Sequence, residues 1–435
     1  MSKKITRRAF NKTSAAATLG LTASQATRVL GANDRIGLGF IGVGGRGRSL
    51  VRAFTKHADA RVVAVCDVYK PHMDKANEPL EDKAVACVDF RKVIDRKDVD
   101  AVVIATPDHW HAVQTITACS AGKDVYCEKP VSITIREGRR MVDAARRYNR
   151  VVQIGTQRRS SPHFARLAEM VGSGKIGKVT VSRTYLLKNH YPDGIGRAKP
   201  SQPPADLDWD LWLGPRPARP YQDNITPYLF RYWKQYSSQI SNMGTHYFDV
   251  IRWAIGELAP TSVCALGGRY AVDDDRTIPD TMEALFEFAS GHLMTFGQYE
   301  ACKNPVLRRG AIEMRGSHAT LHIDGGGSFQ LEPESGGQFQ KDYRKPRAEP
   351  MEVKEPDRQM DHHHTRNFLD CVKSRKRPNA DIEIGHRSTS ICLLANISLA
   401  SRSRIEWDAE HEVITNNPKA NALLDYEYRE PWKSG

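Results

Sequence analysis

The stretch RIGLGFIGVGGRG, residues 35–47, decides the fold of this chain. Its first part is an apolar run suited to a buried strand of a parallel sheet. Gly42, Gly44 and Gly47 then satisfy G-x-G-x-x-G, in which the glycines allow a tight turn, close approach of a pyrophosphate and close packing of the next helix. The apolar positions of residues 48–54 predict that helix, whose N-terminus would face the phosphates.

A second apolar run gives the glycine pattern its context. Residues 61–66 read RVVAVC and are followed by Asp67, 20 positions after Gly47. An acid at this place can accept hydrogen bonds from both ribose hydroxyls of a dinucleotide and repels a 2′-phosphate. NAD is therefore the expected cofactor, while the nearby Lys70 keeps NADP possible.

Strand-like and helix-like segments alternate up to residue 155. Further strands are expected at 100–105, 124–127 and 150–154, with helices at about 112–122 and up to about 148. This alternation predicts an α/β domain, a doubly wound parallel Rossmann sheet, which we assign to residues 33–155.

The pattern changes after residue 156, where short segments with a period of two replace the alternation. Strands are expected at 178–187, 262–270, 281–289, 292–299, 311–315 and 319–324. They predict an α+β domain, residues 156–435, with a large open and mostly antiparallel sheet. Helices near 365–376 and 386–401 are expected to pack back on the first domain. Residues 192–220, which contain the motif WDLWLGP, predict a long functional loop.

The first 32 residues are interpreted as a targeting segment. TRRAFNK at residues 6–12 resembles a twin-arginine signal and is followed by a weakly apolar stretch, residues 15–23. Cleavage near Ala32 would leave a mature chain that begins at Asn33 and has been exported, already folded, to the periplasm or another extracytoplasmic compartment. A basic tail is the alternative.

Charge and composition exclude several other classes. The net charge is +13, but six of the basic residues lie in the first 32 positions, which carry no acid. The densest later run, the arginines between residues 136 and 150, is interpreted as a solvated helix face, and no nucleic-acid partner is expected. No apolar stretch is long enough for a stable membrane span. The eight cysteines lack C-x-x-C spacing and are interpreted mostly as buried thiols.

Two further motifs end neighbouring strands of the first domain. They are TPDHWHA at residues 106–112 and EKP at residues 128–130, at the edge where open parallel sheets bind ligands. With the glycine loop and the segment around His246, they resemble the Gfo/Idh/MocA family of sugar oxidoreductases over residues 35–408. The resemblance implies a nicotinamide-dependent oxidoreductase acting on a hydroxyl of a sugar, sugar derivative or cyclitol, and a homo-oligomer, dimer or tetramer, formed through the outer face of the second sheet.

The resemblance also implies roles for individual residues. Lys129 would lie over the nicotinamide and meet the substrate hydroxyl, and an ammonium beside that positively charged ring has a lowered pKa, which favours proton exchange. For His109 and His111, helix capping and packing is an equally good interpretation. The expected cofactor-binding set is Gly42, Gly44, Gly45, Arg46, Gly47, Asp67, Thr106, Pro107, His109, Glu128, Lys129 and Gln157.

A second-domain segment, SNMGTHYFD at residues 241–249, resembles the D-x-x-x-H segment of the family. His246 is the candidate acid/base, and Asn242 stands at the aspartate position. An amide could orient the ring of His246 but could not raise its basicity as a carboxylate would. Substrate contacts are expected from Lys129, Arg158, Asn242 and His246.

Other functions stay open on this sequence. Export with a retained cofactor suggests a redox-neutral reaction, either sugar–sugar oxidoreduction or NAD-dependent hydrolysis of a glycosidic bond, for which an oligosaccharide is a candidate substrate. A non-catalytic carbohydrate-binding protein is the alternative suggested by Asn242. No metal is expected at His362, His363 and His364, because adjacent side chains project in different directions.

Overall fold

The computed structural model describes residues 35–432, so the expected signal segment lies outside the described residues. The first domain contains six short strands, β1 Ile36–Ile41, β2 Ala60–Cys66, β3 Val85–Cys87, β4 Ala101–Ile104, β5 Asp124–Cys127 and β6 Val152–Ile154. They form one parallel sheet in the order β3-β2-β1-β4-β5-β6. This is the strand order of doubly wound dinucleotide-binding domains, so the predicted fold is confirmed.

Helices cover both faces of this sheet, which is why its central strands are apolar along their whole length. The helices between the strands are α1 Gly45–Phe54, α2 Lys70–Asn77, α3 Phe90–Ile94, α4 His111–Ser120 and α5 Ile135–Arg147. The side chains of Leu50, Val51 and Phe54 on α1 are buried against the sheet, as their spacing predicts.

The second domain contains a sheet of eleven strands. They are β7 Val179–Asn189, β8 Ser262–Gly268, β9 Thr281–Glu287, β10 Leu293–Tyr299, β11 Ala301–Cys302, β12 Ile312–Gly316, β13 Ala319–Ile323, β14 Phe329–Pro333, β15 Met351–Val353, β16 Ile405–Asp408 and β17 Val413–Ile414. The order is β15-β14-β13-β12-β7-β10-β9-β8-β16-β17, with β11 beside β7. Strands β7 and β10 are parallel and the other described pairs are antiparallel. The predicted open, mostly antiparallel sheet is confirmed.

One face of the second sheet carries the core of this domain. Its remaining helices are α6 Pro162–Gly172, α7 Trp209–Leu213, α8 Thr245–Ile255, α9 Met360–Ser374, α10 Ile382–Ser401 and α11 Pro418–Asn421. Apolar side chains of α6, α8 and α10 pack with the inner residues of the strands in one cluster. The opposite face leaves Leu266, Leu285 and Leu293 exposed by 72%, 51% and 45%.

Helix α9 lies between β15 and β16 of the second sheet in sequence but completes the core of the first domain. The rings of Phe54, Tyr126 and Phe368 make edge-to-face contacts there. Arg366 also forms a double hydrogen bond with Asp59 of the first domain, at 2.7 and 2.9 Å. The two halves of the chain are therefore held together by a helix that belongs to both.

Several arginines of α5 form ion pairs with distant carboxylates, so the interpretation as a solvated face holds only for the others, such as the exposed Arg147. Arg139 pairs with Glu383 at 2.9 Å and with Glu412 at 2.7 Å. Arg140 pairs with Asp425 at 2.7 Å. The carboxylates come from residues more than two hundred positions away, so the sequence pattern around α5 could not show them.

Two further properties of the chain are the hydrophobicity of its helices and the state of its cysteines. In the part of the chain that the structure describes, no helix is long and apolar enough to cross a bilayer. All eight cysteines carry free thiols, and five of them are buried.

Candidate active site

The glycine loop between β1 and α1 has the geometry that its sequence predicts. Gly42 has φ +82°, and a Cβ there would lie 2.6 Å from the backbone nitrogen of Thr106. A Cβ on Gly47 would lie 2.0 Å from the carbonyl oxygen of Gly42. At Gly44 a Cβ would meet only the ring of His72, and at Gly45 nothing within 4 Å. The backbone is thus open where a pyrophosphate would approach, and this cradle fits a dinucleotide.

Asp67 lies beside this loop at the end of β2. Its carboxylate accepts hydrogen bonds from the backbone N–H groups of Val43, at 2.9 Å, and Tyr69, at 3.0 Å. Lys70, which kept NADP possible, instead pairs with Asp74 at 2.6 Å on the exposed side of α2. The group facing the expected ribose is therefore an acid, which favours NAD.

A cleft of about 290 Å³ extends from the glycine loop and Asp67 past Phe90 and Trp110. Its other wall belongs to the second domain, and we call residues 206–236 the roof segment. Tyr228, Phe230 and Arg231 of this segment line the cleft. The Arg231 guanidinium lies 4.1 and 4.5 Å from the ring centres of Tyr228 and Phe230. Only residues 206–220 of the roof segment fall within the loop that the sequence predicts to be functional, and no motif marks a single arginine such as Arg231.

Arg46 of the glycine loop is held by two carboxylates. Its Nε donates to Glu128 at 2.7 Å, and its two terminal nitrogens donate to Asp361 at 2.8 and 3.0 Å. Asp361 lies on α9, so this triad ties the loop, the EKP motif and the second half of the chain together. Arg46 and Glu128 remain predicted cofactor neighbours. Both also belong to this triad with Asp361, which has a structural role.

Lys129 follows β5 and reaches into the second domain. Its Nζ donates to the backbone carbonyl of Asn242 at 2.7 Å and to the Asn242 side-chain oxygen at 3.0 Å. Burial lowers the pKa of Lys129, although Glu128 and Asp108 act in the opposite direction. Asn242 lies in a π-helical turn, Ile240–Gly244, directly before α8.

His246 lies in the first turn of α8 and is partly buried. Burial, followed by the charges of Lys129 and Arg158, lowers its pKa well below the ordinary value, so the ring is neutral at pH 7. Its Nδ1 is enclosed and has no hydrogen-bond partner among residues 35–432. Asn242 bonds to Lys129 and Gln239, and the expectation that its amide orients His246 is therefore wrong.

The two histidines of the TPDHWHA motif serve different contacts. The His109 ring is fully buried, donates to the carbonyl of Trp212 at 2.9 Å and does not line the cleft, which favours its packing interpretation. Both ring nitrogens of His111 face carbonyl oxygens, Pro130 at 2.7 Å and Thr106 at 3.0 Å. His111 thus links the loops after β4 and β5.

The charge of His111 follows from these contacts. Two carbonyl acceptors require two N–H donors, which only the imidazolium form provides. Burial lowers the pKa of His111, but Cys127, Asp108 and the carbonyl of Pro130 raise it to about 10. Thr106 and Pro107 themselves line the cleft, as expected for cofactor neighbours.

Gln157 and Arg158 follow β6 on the side of His246. Arg158 donates to the backbone carbonyl of His246 at 3.2 Å, and its guanidinium lies over the rings of Phe164 and Tyr247 at 5.4 and 5.1 Å. The side-chain oxygen of Gln157 is buried without a hydrogen-bond partner among the described residues. Arg158 therefore lies beside the start of α8, while its substrate contact and the cofactor contact of Gln157 stay predictions.

The histidine run of α9 is dispersed by the helix. His362 stacks on His57 with ring centres 4.5 Å apart, while His364 bonds to Ser160 at 2.8 Å and to the carbonyl of Ile154 at 2.9 Å. Between residues 35 and 432 no three histidine, cysteine or acidic side chains form a group that could hold a metal ion.

Relatives with known names match only part of the chain. Levoglucosan dehydrogenase of Pseudarthrobacter phenanthrenivorans is 26% identical over 254 residues, 54% of this chain and 57% of that protein. Inositol 2-dehydrogenase of Rhizobium meliloti is 28% identical over 258 residues, 58% of this chain and 65% of that protein. Glycosyl hydrolase family 109 protein 1 of a Shewanella species is 34% identical over 122 residues, 26% of this chain and 27% of that protein. The chain thus matches less than two thirds of each relative's length.

Solved structures share the fold over most of the chain. Levoglucosan dehydrogenase in complex with NADH and levoglucosan has a TM-score of 0.65 at 19% identity, covering 86% of this chain and 99% of that one. The aldose-aldose oxidoreductase from Caulobacter crescentus, complexed with glycerol, has a TM-score of 0.63 at 17% identity and the same coverage. At these identities the likeness establishes the two-domain fold.

Two models of one oxidoreductase family match the chain. The first, described as an NAD-binding Rossmann fold, matches residues 36–156. The second, described as a C-terminal alpha/beta domain, matches residues 164–268 and 336–434. The chain therefore belongs to the Gfo/Idh/MocA oxidoreductase family, and residues 36–156 form its NAD-binding domain.

Proposed function

We propose that this protein transfers a hydride between NAD and a hydroxyl-bearing carbon of a sugar, a sugar derivative or a cyclitol. One observation carries the proposal. Lys129, at the end of a strand of the NAD-binding domain, bonds to Asn242 of the second domain, four residues before His246. The site thus brings a base together with a second proton carrier, whose pKa is lowered in part by the charge of Lys129.

Lys129 is arranged to exchange a proton with a substrate hydroxyl. Bound NAD would supply the hydride acceptor. The Lys129 ammonium has three N–H donors, and two of them are used by the oxygens of Asn242. The third tetrahedral position is left for the substrate. Burial lowers the pKa of Lys129 and so favours the neutral amine, whose lone pair can accept the hydroxyl proton.

His246 complements this base. Its Nδ1 is enclosed, so a substrate hydroxyl would meet the half-buried ring at the other nitrogen, Nε2. The neutral ring can accept or donate a hydrogen bond there. His246 would therefore orient the substrate and relay its proton.

The relatives support the substrate class. Two of the proteins that the chain resembles are named for levoglucosan and inositol, an anhydrosugar and a cyclitol. Both substrates carry several secondary hydroxyl groups. We extend the class, and not either substrate, to this chain.

The non-catalytic alternative makes a different prediction for the cofactor. A panel of sugars and cyclitols would be added to the protein with NAD, and NADH formation would be followed by absorbance. We expect NADH with at least one member of the panel. A sugar that binds, as shown by calorimetry, with no oxidised product and no NADH under any condition would support a binding protein instead.

A redox-neutral reaction is the second candidate function. It is supported by the roof segment, which covers the cleft from the second domain and would slow the exchange of NAD. The match to a glycosyl hydrolase family 109 protein is consistent with this candidate. Both redox-neutral routes need a retained cofactor, because the hydride must return to the same active site.

Location and assembly complete the proposal. The twin-arginine pattern at residues 6–12 supports export to the periplasm or another extracytoplasmic compartment. The exposed leucines on the outer face of the second sheet support a homo-oligomer that covers this face. Sedimentation of the purified protein would test the assembly.

A further inference from the structure

The C-terminal segment Tyr426–Trp432 packs behind the wall of the cofactor cleft. Trp432 is only 9% exposed, and its ring centre lies 4.7 Å from that of Trp110 and 6.2 Å from that of Phe90. Phe90 and Trp110 both line the cleft. The Arg91 guanidinium lies 5.3 Å from the Trp432 ring on another side. Trp432 thus contacts two residues of the wall without lining the cleft itself.

Several hydrogen bonds hold this segment in place. Arg429 donates from its backbone to the carbonyl of Pro215 and from Nε to the carbonyl of Gly214, both at 3.0 Å. The hydroxyl of Tyr428 donates to Glu137 at 2.5 Å. The backbone N–H of Trp432 donates to the carbonyl of Arg429 at 3.0 Å. The position of the Trp432 ring is therefore fixed from both the roof segment and α5.

The WDLWLGP motif, residues 209–215, packs against the other side of Trp110. The Trp110 ring donates to the carbonyl of Trp212 at 3.0 Å. A Cβ on Gly214 would lie 2.2 Å from the Trp110 ring, so only glycine allows this close packing. Trp110 is thus held on one side by the roof segment and on the other by Trp432.

The position of this wall in the sheet identifies the half of the dinucleotide that it would meet. Phe90 follows β3, which is at the edge of the sheet beside β2 and Asp67. Lys129 follows β5, on the opposite side of the glycine loop. In this fold the acid after the second strand meets the adenosine ribose. Trp110 follows β4 on the other side of β1, but its ring centre lies 5.4 Å from that of Phe90, so the wall that the two rings share reaches the adenosine end.

We propose that Trp432 is a positioning residue for the adenosine half of NAD, acting through Phe90 and Trp110. The proposal rests on the assignment of the cleft to NAD. Removing the Trp432 ring leaves a void behind both aromatic residues, which can then move away from the bound adenosine. The last residues of the chain would thereby control how firmly the cofactor is held.

The test is the affinity of the full-length protein, freed of cofactor, for NAD and for its two halves. Trp432→Ala should weaken NAD and ADP-ribose about tenfold each, because the aromatic packing behind the wall is lost. Nicotinamide mononucleotide should bind as it does to the wild type. Calorimetric titration measures all three, and it does not depend on turnover of any sugar.

The matched control is Trp407→Ala. Trp407 is 6% exposed and belongs to the core of the second domain, away from the cleft. This variant should lose thermal stability but keep its affinity for NAD. Equal weakening of NAD by both variants would overturn the proposal, as would an unchanged affinity of Trp432→Ala for ADP-ribose.

If the Trp432→Ala protein does not fold, a second pair of variants provides the test. Trp432→Phe keeps an aromatic ring against Phe90 and Trp110 and should bind NAD within about threefold of the wild type. Trp432→Leu keeps apolar volume without the ring and should bind ADP-ribose more weakly than Trp432→Phe. Equal affinities of these two variants would overturn the proposal. Failure of the proposed sugar oxidation would leave all of these binding measurements unaffected.

Discussion

An amide at position 242 changes what Lys129 can do. A carboxylate 3 Å from an ammonium favours the charged form and raises the pKa of the lysine. Asn242 supplies the same oxygen geometry without the charge, at 2.7 and 3.0 Å from Nζ. The departure from the family motif is therefore compatible with catalysis, and it favours a lysine that acts as a base.

Asn242→Asp tests this argument through the pH dependence of turnover. A base acts when it is deprotonated, so the rate rises as pH increases through the pKa of Lys129. Burial lowers that pKa in the wild type, and a carboxylate at 242 should raise it by roughly one unit. The rising limb of the pH–rate profile should move to higher pH by the same amount, and the rate at pH 7 should fall.

The control for this variant adds the same charge elsewhere. Asn189 is exposed at the end of β7, so Asn189→Asp should leave the profile unchanged. An Asn242→Asp profile that coincides with that of the wild type would contradict the role of Lys129 as the base.

Lys129→Met separates catalysis from cofactor binding. Loss of a general base lowers the rate by about 10²- to 10⁴-fold. NAD should remain bound, because the glycine loop and Asp67 are unchanged. Steady-state turnover and calorimetric titration with NAD measure the two effects, with the exposed Lys175→Met as control. Equal loss of turnover and NAD affinity would place Lys129 in the cofactor site instead.

Asp67→Ala tests the choice of cofactor. The lost hydrogen bonds go to the ribose hydroxyls, so NAD should bind at least about tenfold more weakly while NADP changes less. Asp67 also accepts from Val43 and Tyr69, so some loss for both cofactors is expected from a looser glycine loop. Titration with each cofactor gives the ratio, with the exposed Asp95→Ala as control. A variant that keeps the wild-type preference for NAD would refute the assignment.

The sequence predicts the position of some residues of the site better than that of others. Gly42, Gly47 and Asp67 lie within one local motif, and their backbone requirements follow from it directly. Lys129 and Asn242 are 113 positions apart, and their contact depends on how two domains meet. A sequence shows which residues can carry chemistry, whereas their partners depend on packing between distant segments.

At the scale of elements, the π-helical turn Ile240–Gly244 explains the wrong expectation for Asn242. The D-x-x-x-H spacing predicts a regular helix with both side chains on one face. The π turn has a wider backbone than an α-helix and ends between Asn242 and His246, so the amide faces Lys129. No residue type marks a π turn, and sequence periodicity could not predict it.

The strands of the second sheet show the same limit. Six strands with clear period-two patterns were predictable, and each lies within three residues of its expected bounds. Strands β14 to β17 were missed because they are short and lie towards the two edges of the sheet, where fewer side chains are buried. Alternation is a signal of burial on one face, and over two to five residues, as in FQLEP of β14 or IEWD of β16, it is too short to stand out in the sequence.

The ion pairs of α5 predict a large effect for one acid. Glu412 is 5% exposed at its side chain and accepts from Arg139 at 2.7 Å and from His386 at 2.8 Å. Glu412→Gln leaves these groups without their carboxylate and should lower the free energy of unfolding by about 3 kcal/mol. Urea unfolding at pH 7 measures it. Asp143→Asn is the control, since Asp143 is 66% exposed and 4.0 Å from Arg139.

The same cluster predicts how stability depends on pH. Burial raises the pKa of Glu383, but hydrogen bonds from Arg139 and the charge of Arg387 lower it to about 2. A carboxylate with a lowered pKa stabilises the fold fully above its unfolded value of about 4.3, and this contribution is lost as pH falls towards 2. Unfolding curves at pH 7 and pH 3 should show the loss in the wild type and a smaller loss in Glu383→Gln.

At the scale of the whole molecule, the cofactor cleft is enclosed by segments from both ends of the chain. The NAD-binding domain supplies its floor, the roof segment its cover, and the C-terminal segment supports one wall. The roof segment is tied to the first domain through the loop after β2, where the backbone of Lys70 donates to Asp206 at 3.0 Å. Release of NAD would require the roof segment to separate from this loop.

This enclosure connects with the proposed export. A compartment outside the cytoplasm offers no pool of free NAD, so a simple dehydrogenase would stop once its cofactor was reduced. A second substrate that takes the hydride back would restore NAD. A transient oxidation would do the same, because the neighbouring carbon becomes acidic, a glycosidic bond is eliminated, water adds and the hydride returns. Either route is redox-neutral and needs a cofactor that stays bound.

The mature protein is therefore expected to purify with NAD bound and to turn over without added cofactor. The reason is physical: under the proposed export, cofactor loaded beforehand would be enclosed by the roof segment and recycled within one active site. Mass spectrometry of the released cofactor, followed by turnover of sugar mixtures and glycosides by dialysed protein, measures both parts. Protein denatured and refolded without NAD provides the control, and it should regain activity after one equivalent of NAD. If dialysed protein works only with stoichiometric NAD and accumulates NADH, the reaction is an ordinary dehydrogenation.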